Sequence, residues 1–171
     1  QEVTMALDES LMKTVIKCVD LLQNNEKDYE ARASLAWAAT LALNGIASIG
    51  IGGDWACHKI EHSLSAVHTN IAHGAGLGII FPAWIKYVQN ANPATFNRWA
   101  KNVWNVATIE EAVESFQKKL KDWKAPTSLK EIGIQYEELE FLANNTFEND
   151  TIGVLKKLNP QDVLEILKLA Y

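Results

Sequence analysis

Apolar residues recur along almost the whole chain at steps of three and four, the spacing that lines one face of an α-helix. Leu7, Leu11, Val15, Val19 and Leu22 predict a first helix, ended by Asn24-Asn25. A second is predicted from about Asp28, a capping residue, to Asn44-Gly45, a C-terminal stop. Its alanines at 31, 33, 36, 38, 39 and 42 suggest a surface that neighbouring helices approach closely. Residues 48–53 are glycine-rich and read as a loop, followed by a third helix from Asp54 to about Val67. After a break at Thr69-Asn70, a fourth begins near His73 and carries Leu77, Ile80, Phe81, Trp84, Ile85 and Val88, with Pro82 expected to kink it.

Local capping chemistry marks most of the remaining starts. Asn92-Pro93 opens a fifth helix containing Phe96, Trp99, Val103 and Trp104. Thr108 with Glu111 forms a capping box for a sixth that runs to Trp123. Pro126 and Gly133 bracket a short turn capped by Ser128 with Glu131. Tyr136 to about Asn144 reads as helical, and Asn159-Pro160 starts the last helix. No segment alternates strictly with β-branched residues, so the expected class is all-α, one domain over residues 1–171, without repeats or linkers.

Composition narrows the function. A chain of 171 residues can bury one good core. With 48% hydrophobic and 22% charged residues it falls among folded globular chains, and disorder would need fewer apolar positions. A formal charge of -5 and a pI near 5.4 disfavour nucleic acid, whose phosphates require a basic face. Apolar runs are short and interrupted, so no membrane span is expected, and no export leader opens the chain. Cys18 and Cys57 are the only thiols, which favours a reducing, cytoplasmic setting over a disulfide scaffold. The chain begins at Gln1 and enters a helical pattern almost at once, as a domain cut from a longer polypeptide would.

The chemistry concentrates in one place. His58, His62, His68 and His73 are the only histidines and fall within sixteen residues. His58 and His62 are four apart and project from one helical face. His73, at the start of the next helix, can fold back toward them, so imidazoles from two helices could converge on one divalent ion. His68 is expected in the intervening turn. A partly buried polar stripe would account for the His58/His62 pair as well. His58-Lys59-Ile60-Glu61-His62 also matches H-x-x-E-H, a zinc-peptidase pattern in which Glu61 is the general base, with Glu137, Glu138 or Glu140 as a third ligand. The Gly74-Ala75-Gly76-Leu77-Gly78 segment lacks a preceding strand, so it is read as close helix packing rather than a nucleotide loop. Cys57 and most of the six tryptophans are assigned to the core, with Trp55 and Trp84 as candidates to wall a substrate pocket.

Several separated segments, in order, resemble one known family. Gly53-Asp54-Trp55-Ala56-Cys57-His58-Lys59-Ile60-Glu61-His62-Ser63-Leu64-Ser65-Ala66, then His73-Gly74-Ala75-Gly76-Leu77 and Phe81-Pro82-Ala83-Trp84, are similar to iron-containing (group III) alcohol dehydrogenases, nearest the NADH- or NADPH-dependent butanol dehydrogenases. Tyr29-Glu30-Ala31-Arg32-Ala33 and Leu41-Ala42-Leu43-Asn44-Gly45 fit the helix before the metal helix of those enzymes. The resemblance implies the C-terminal helical bundle of the dehydroquinate synthase-like fold, with the Rossmann-like cofactor domain absent from this chain.

It further implies a divalent iron or zinc held by Asp, His, His and His, of which His58 and His73 would be the third and fourth ligands. His62 would be the non-ligand histidine of the catalytic pocket, able to relay the alcohol proton. The Asp and first His belong to a D-x-x-x-H segment that is missing, since no histidine precedes His58. His58 and His73 are fifteen apart, one more than the family's usual spacing, which places an extra residue near Thr69-Asn70. The parent enzyme is expected to pass hydride between NADH or NADPH and a primary alcohol or aldehyde, and the fragment alone to be inactive and to self-associate, as a homodimer for example. A helical zinc hydrolase and a metal-free helical interaction domain are the alternatives.

Overall fold

The computed structural model describes residues 1–147 and 151–171. Eight α-helices dominate it: α1 (Glu2–Asn24), α2 (Tyr29–Leu43), α3 (Ala56–Val67), α4 (His73–Val88), α5 (Pro93–Trp99), α6 (Ile109–Asp122), α7 (Leu139–Asn145) and α8 (Pro160–Ala170). The all-α class read from the periodicity holds. Among the described residues the only β pairing is a single antiparallel bridge between Ile152 and Leu158.

Four of the eight helix starts are fixed by a capping side chain within four residues of the boundary. Asp28 accepts from the Ala31 amide, and Asn92 accepts from Thr95 with Pro93 at the first helical position. Thr108/Glu111 and Asn159/Asp162 each form a reciprocal capping box at α6 and α8. Such caps are worth roughly 1 kcal/mol each, because they satisfy amides that the helix cannot. Gly45 adopts φ +92° after α2, a conformation that costs a Cβ-bearing residue more than it costs glycine. After Trp99 the helix widens into a π-turn over Ala100–Trp104, closed by Asn105 in the left-handed region. α4 continues through Pro82 without interruption.

α4 is the central element. Its Ile79, Ile80, Ala83, Trp84, Ile85 and Val88 are all buried, and it packs against α3, α6 and α8. α7 joins α3 and α8, completing a core that lies within residues 56–170. The α1–α2 hairpin lies outside this core and reaches it chiefly through the π-turn. Arg98 ties down its start, binding Glu2 at 2.6 and 2.8 Å and also Glu9.

Three expectations need correction. α2 packs closely on α1 and buries Ala31 and Ala38 but leaves Ala33, Ala36, Ala39 and Ala42 exposed, so only part of its small-residue surface meets a helix within this chain. Trp37 is exposed rather than core. α3 begins at Ala56, not Asp54, because Asp54 stays outside the helix and accepts from the Ala56 amide at 2.9 Å.

Candidate metal centre

α3 is amphipathic in an unusual way: its buried face carries Ala56, Cys57, Ile60 and Leu64 together with the charged Glu61. The rim next to that face carries His58, half-buried, and His62, exposed one turn on. Asp54 sets the start of the helix. Besides accepting from Ala56, its second oxygen accepts from Val154 at 2.9 Å and Leu155 at 2.8 Å, which anchors the 152–158 bridge loop to the histidine helix. Trp55 packs edge-on against the His58 ring at 4.8 Å between centroids.

The turn after α3 brings His73 back to this rim. His68 caps α3, the Ile71 amide donates to the His68 carbonyl at 3.0 Å, and the Ile71 side chain is buried. α4 then starts at His73. A separation of fifteen residues between His58 and His73 therefore does not keep their rings apart. His73 lies 5.5 Å from His58 and 5.3 Å from His62 between ring centroids, while His58 and His62 are 6.5 Å apart. Two imidazoles binding one ion through nitrogens at about 2.0–2.1 Å hold their centroids roughly 5 Å apart. Both pairs that include His73 meet that requirement with small adjustment.

His68 does not join them. Its Nε2 lies 2.8 Å from Glu138, whose carboxyl is held below the usual range by the Gln135 amide and by His68, against the opposing effect of desolvation. Trp84 is also elsewhere, stacked on Phe81 and edge-on to Phe96 in the core. Cys57 adjoins His58 in sequence but faces inward, and burial followed by the Asp54 charge pushes its thiol well above the ordinary range. A protonated, buried thiol does not compete for a cation.

Reasoning from the sequence missed the floor of the site. The Glu61 side chain is 0% exposed, directly beneath the imidazoles, and one of its oxygens is hydrogen-bonded to Nδ1 of His73. Its other oxygen, Oε1, is buried without a hydrogen-bond partner among the described residues. Glu61, His62 and His73 offer donor atoms all within 4.8 Å of one another, the one such group among the described residues. This grouping differs from the His58/His73 pair that the family resemblance implies. The closeness of Glu61 reflects its bond to His73, and its carboxyl is wholly buried while His62 and His73 are exposed, so the imidazoles are the better candidate ligands. None of Glu137, Glu138 and Glu140 belongs to the group, which removes the third ligand of the hydrolase alternative.

Electrostatics suit a cation site. Burial, then the neighbouring His73 and His62, depress the His58 pKa, outweighing the opposite pull of Glu61. His58 is thereby kept neutral, the form that binds metals. Among the described residues no helix is long and apolar enough to cross a membrane.

Comparison with known proteins gives this rim a setting. Residues 1–171 match the family described as "Fe-containing alcohol dehydrogenase family, C-terminal". The chain is 38% identical, over 95% of its length, to NADH-dependent butanol dehydrogenase A of Clostridium acetobutylicum, of which it covers 44%. It is 41% identical, over 94% of its length, to the probable NADH-dependent butanol dehydrogenase 1 of Bacillus subtilis, covering 43% of that protein. The crystal structure of NADH-dependent butanol dehydrogenase A from Thermotoga maritima superposes with a TM-score of 0.94 at 43% identity, over 99% of this chain and 46% of the other. The chain thus spans less than half the length of these relatives.

Proposed function

The chain belongs to the iron-containing alcohol dehydrogenase family, and we propose that it is the metal-binding part of an oxidoreductase acting between a primary alcohol or aldehyde and NADH or NADPH. The observation that carries this reading is the meeting of imidazoles from α3 and α4 on one open rim, with His73 within 5.5 Å of both partners. His58 and His73 are the proposed ligands to a divalent iron or zinc. When bound, such an ion supplies Lewis acidity that polarises a substrate oxygen, and the nicotinamide supplies the hydride.

The residues of this chain have distinct parts to play. His58 holds its ring neutral and braced by Trp55. His62, exposed beside His73, exchanges the alcohol proton with solvent at a ring nitrogen. With His62 assigned to the proton and His68 bound to Glu138, no histidine of this chain is left as a third ligand, so another imidazole ligand would come from polypeptide outside these 171 residues. A catalytic ion wants at least three protein ligands and an open position. The 171-residue chain is therefore expected to bind metal weakly and to reduce nothing alone. A reducing cytoplasmic setting fits its two buried free thiols.

Titration of the purified chain with Co(II), followed by its visible absorption, tests the assignment. Weak binding that disappears in His58→Ala and His73→Ala and survives in His62→Ala and His68→Ala supports it. Loss in His62→Ala with retention in His58→Ala would reject the ligand pair, and tight stoichiometric zinc with peptidase activity would favour the hydrolase.

A further inference from the structure

A fully buried carboxyl group with no lysine or arginine partner among the described residues requires explanation, since burying a charge is costly unless it is paired. Glu61 projects from the apolar face of α3 toward the first turn of α4, and that turn is built to receive it. A Cβ at Gly76 would lie 2.7 Å from Glu61 Cγ and 2.8 Å from Oε1, so only glycine leaves room for the side chain. The carboxyl also lies near the positive end of the α4 dipole, in a helix whose N-cap is Ala72 and offers no side-chain cap. Among the described residues its single hydrogen-bond partner is Nδ1 of His73, and Oε1 has none.

A carboxylate has no proton to donate, so its partner nitrogen must carry one. From this we infer that Glu61 is a positioning residue for His73: it fixes the ring as the Nδ1–H tautomer and leaves Nε2 bare toward the rim it shares with His58 and His62. Histidine ligands commonly use their second nitrogen in this way, and the carboxylate both orients the ring and raises its basicity. The inference rests on the metal reading above only for its purpose, because the tautomer belongs to the chain without metal. Gly76 belongs to the same device. His73 and Gly76 are three apart on α4 and share a face, so one helix presents both the ring to be held and the space for the group that holds it.

The test uses the intact 171-residue chain, first free of metal. Nitrogen-15 NMR of the His73 imidazole is expected to show protonated Nδ1 and bare Nε2. In Glu61→Ala that preference should reverse, and in Glu61→Gln, which keeps an acceptor oxygen of the same shape, it should be partly retained. Co(II) affinity should then fall by about 10–100-fold in Glu61→Ala and less in Glu61→Gln. Circular dichroism of each variant guards against simple unfolding. A protonated Nε2 in the unaltered chain, or an unchanged tautomer in Glu61→Ala, overturns the inference. So does complete loss of Co(II) binding in Glu61→Gln as in His73→Ala, since Glu61 would then be a ligand. If Glu61→Ala releases the ring but His58→Ala and His73→Ala leave Co(II) binding intact, the metal reading fails and the hold of Glu61 on His73 stands.

Discussion

Replacing Gly76 by alanine weighs helix propensity against packing under the imidazoles. The added methyl would stand 2.7, 2.8 and 3.2 Å from Cγ, Oε1 and Cδ of Glu61. Neither partner can easily give way, because Gly76 is buried and the Glu61 carboxyl is bound to His73. Overpacking of this kind costs about 1–3 kcal/mol. Removing a glycine from a helix interior returns about 1 kcal/mol. The expected net loss is therefore about 0–2 kcal/mol, a fall in Tm of up to about 8 °C for a domain of this size. Gly74, one residue into the same helix, is the control, since a Cβ there meets nothing within 4 Å. Gly74→Ala should gain up to about 1 kcal/mol and melt up to about 4 °C higher. Calorimetry of the three proteins without metal reads the difference, and the His73 imidazole resonances of Gly76→Ala should move toward those of Glu61→Ala. A Gly76→Ala protein that melts at or above Gly74→Ala with unaltered His73 signals would refute the packing argument.

Three further outcomes can be measured. Burial and the adjacent His73 and His62 lower the His58 pKa, so the unfolded chain takes up this proton first and stability should decline as pH falls below about 6.5. Melting curves from pH 8 to 5 should be steeper for the unaltered chain than for His58→Gln, and equal slopes would disprove the contribution. Asp54→Ala removes the carboxylate that accepts from the Ala56 amide at the start of α3 and from the Val154 and Leu155 amides of the bridge loop, at an expected cost of about 1–3 kcal/mol. Hydrogen exchange at Val154 and Leu155 should accelerate, and unchanged protection would contradict the clamp. Trp37, Leu43, Ile49 and Trp55 expose large apolar surface, so the chain should self-associate, an expectation that a monodisperse monomer in sedimentation would defeat.

The helices were legible because their boundaries are decided locally. Asn92 with Pro93, Thr108 with Glu111 and Asn159 with Pro160 each act within four residues, and each starts the helix its sequence suggests. Burial was less legible, because it depends on which elements become neighbours. Trp37 and the alanines at 33, 36, 39 and 42 of α2 look like core in a linear reading, yet they lie exposed on the outer hairpin. α4 is central for a reason no local window shows: α3, α6 and α8 close around it.

The site was half legible for a related reason. A four-residue step and a following helix start were enough to bring His58, His62 and His73 into one cluster. Glu61 was visible only as the acid of an H-x-x-E-H pattern, and that pattern implies a base that meets water and substrate. Helix geometry points the other way. Glu61 follows Ile60 and precedes Leu64 by three residues, both wholly buried, so its carboxyl is carried inward where solvent does not reach. A group with no exposure cannot activate an attacking water at the surface, but it can hold a proton on a neighbouring ring. The same five-residue pattern therefore describes opposite chemistry according to which side of the helix the acid occupies, and Gly76 on the next helix is the residue that marks the side.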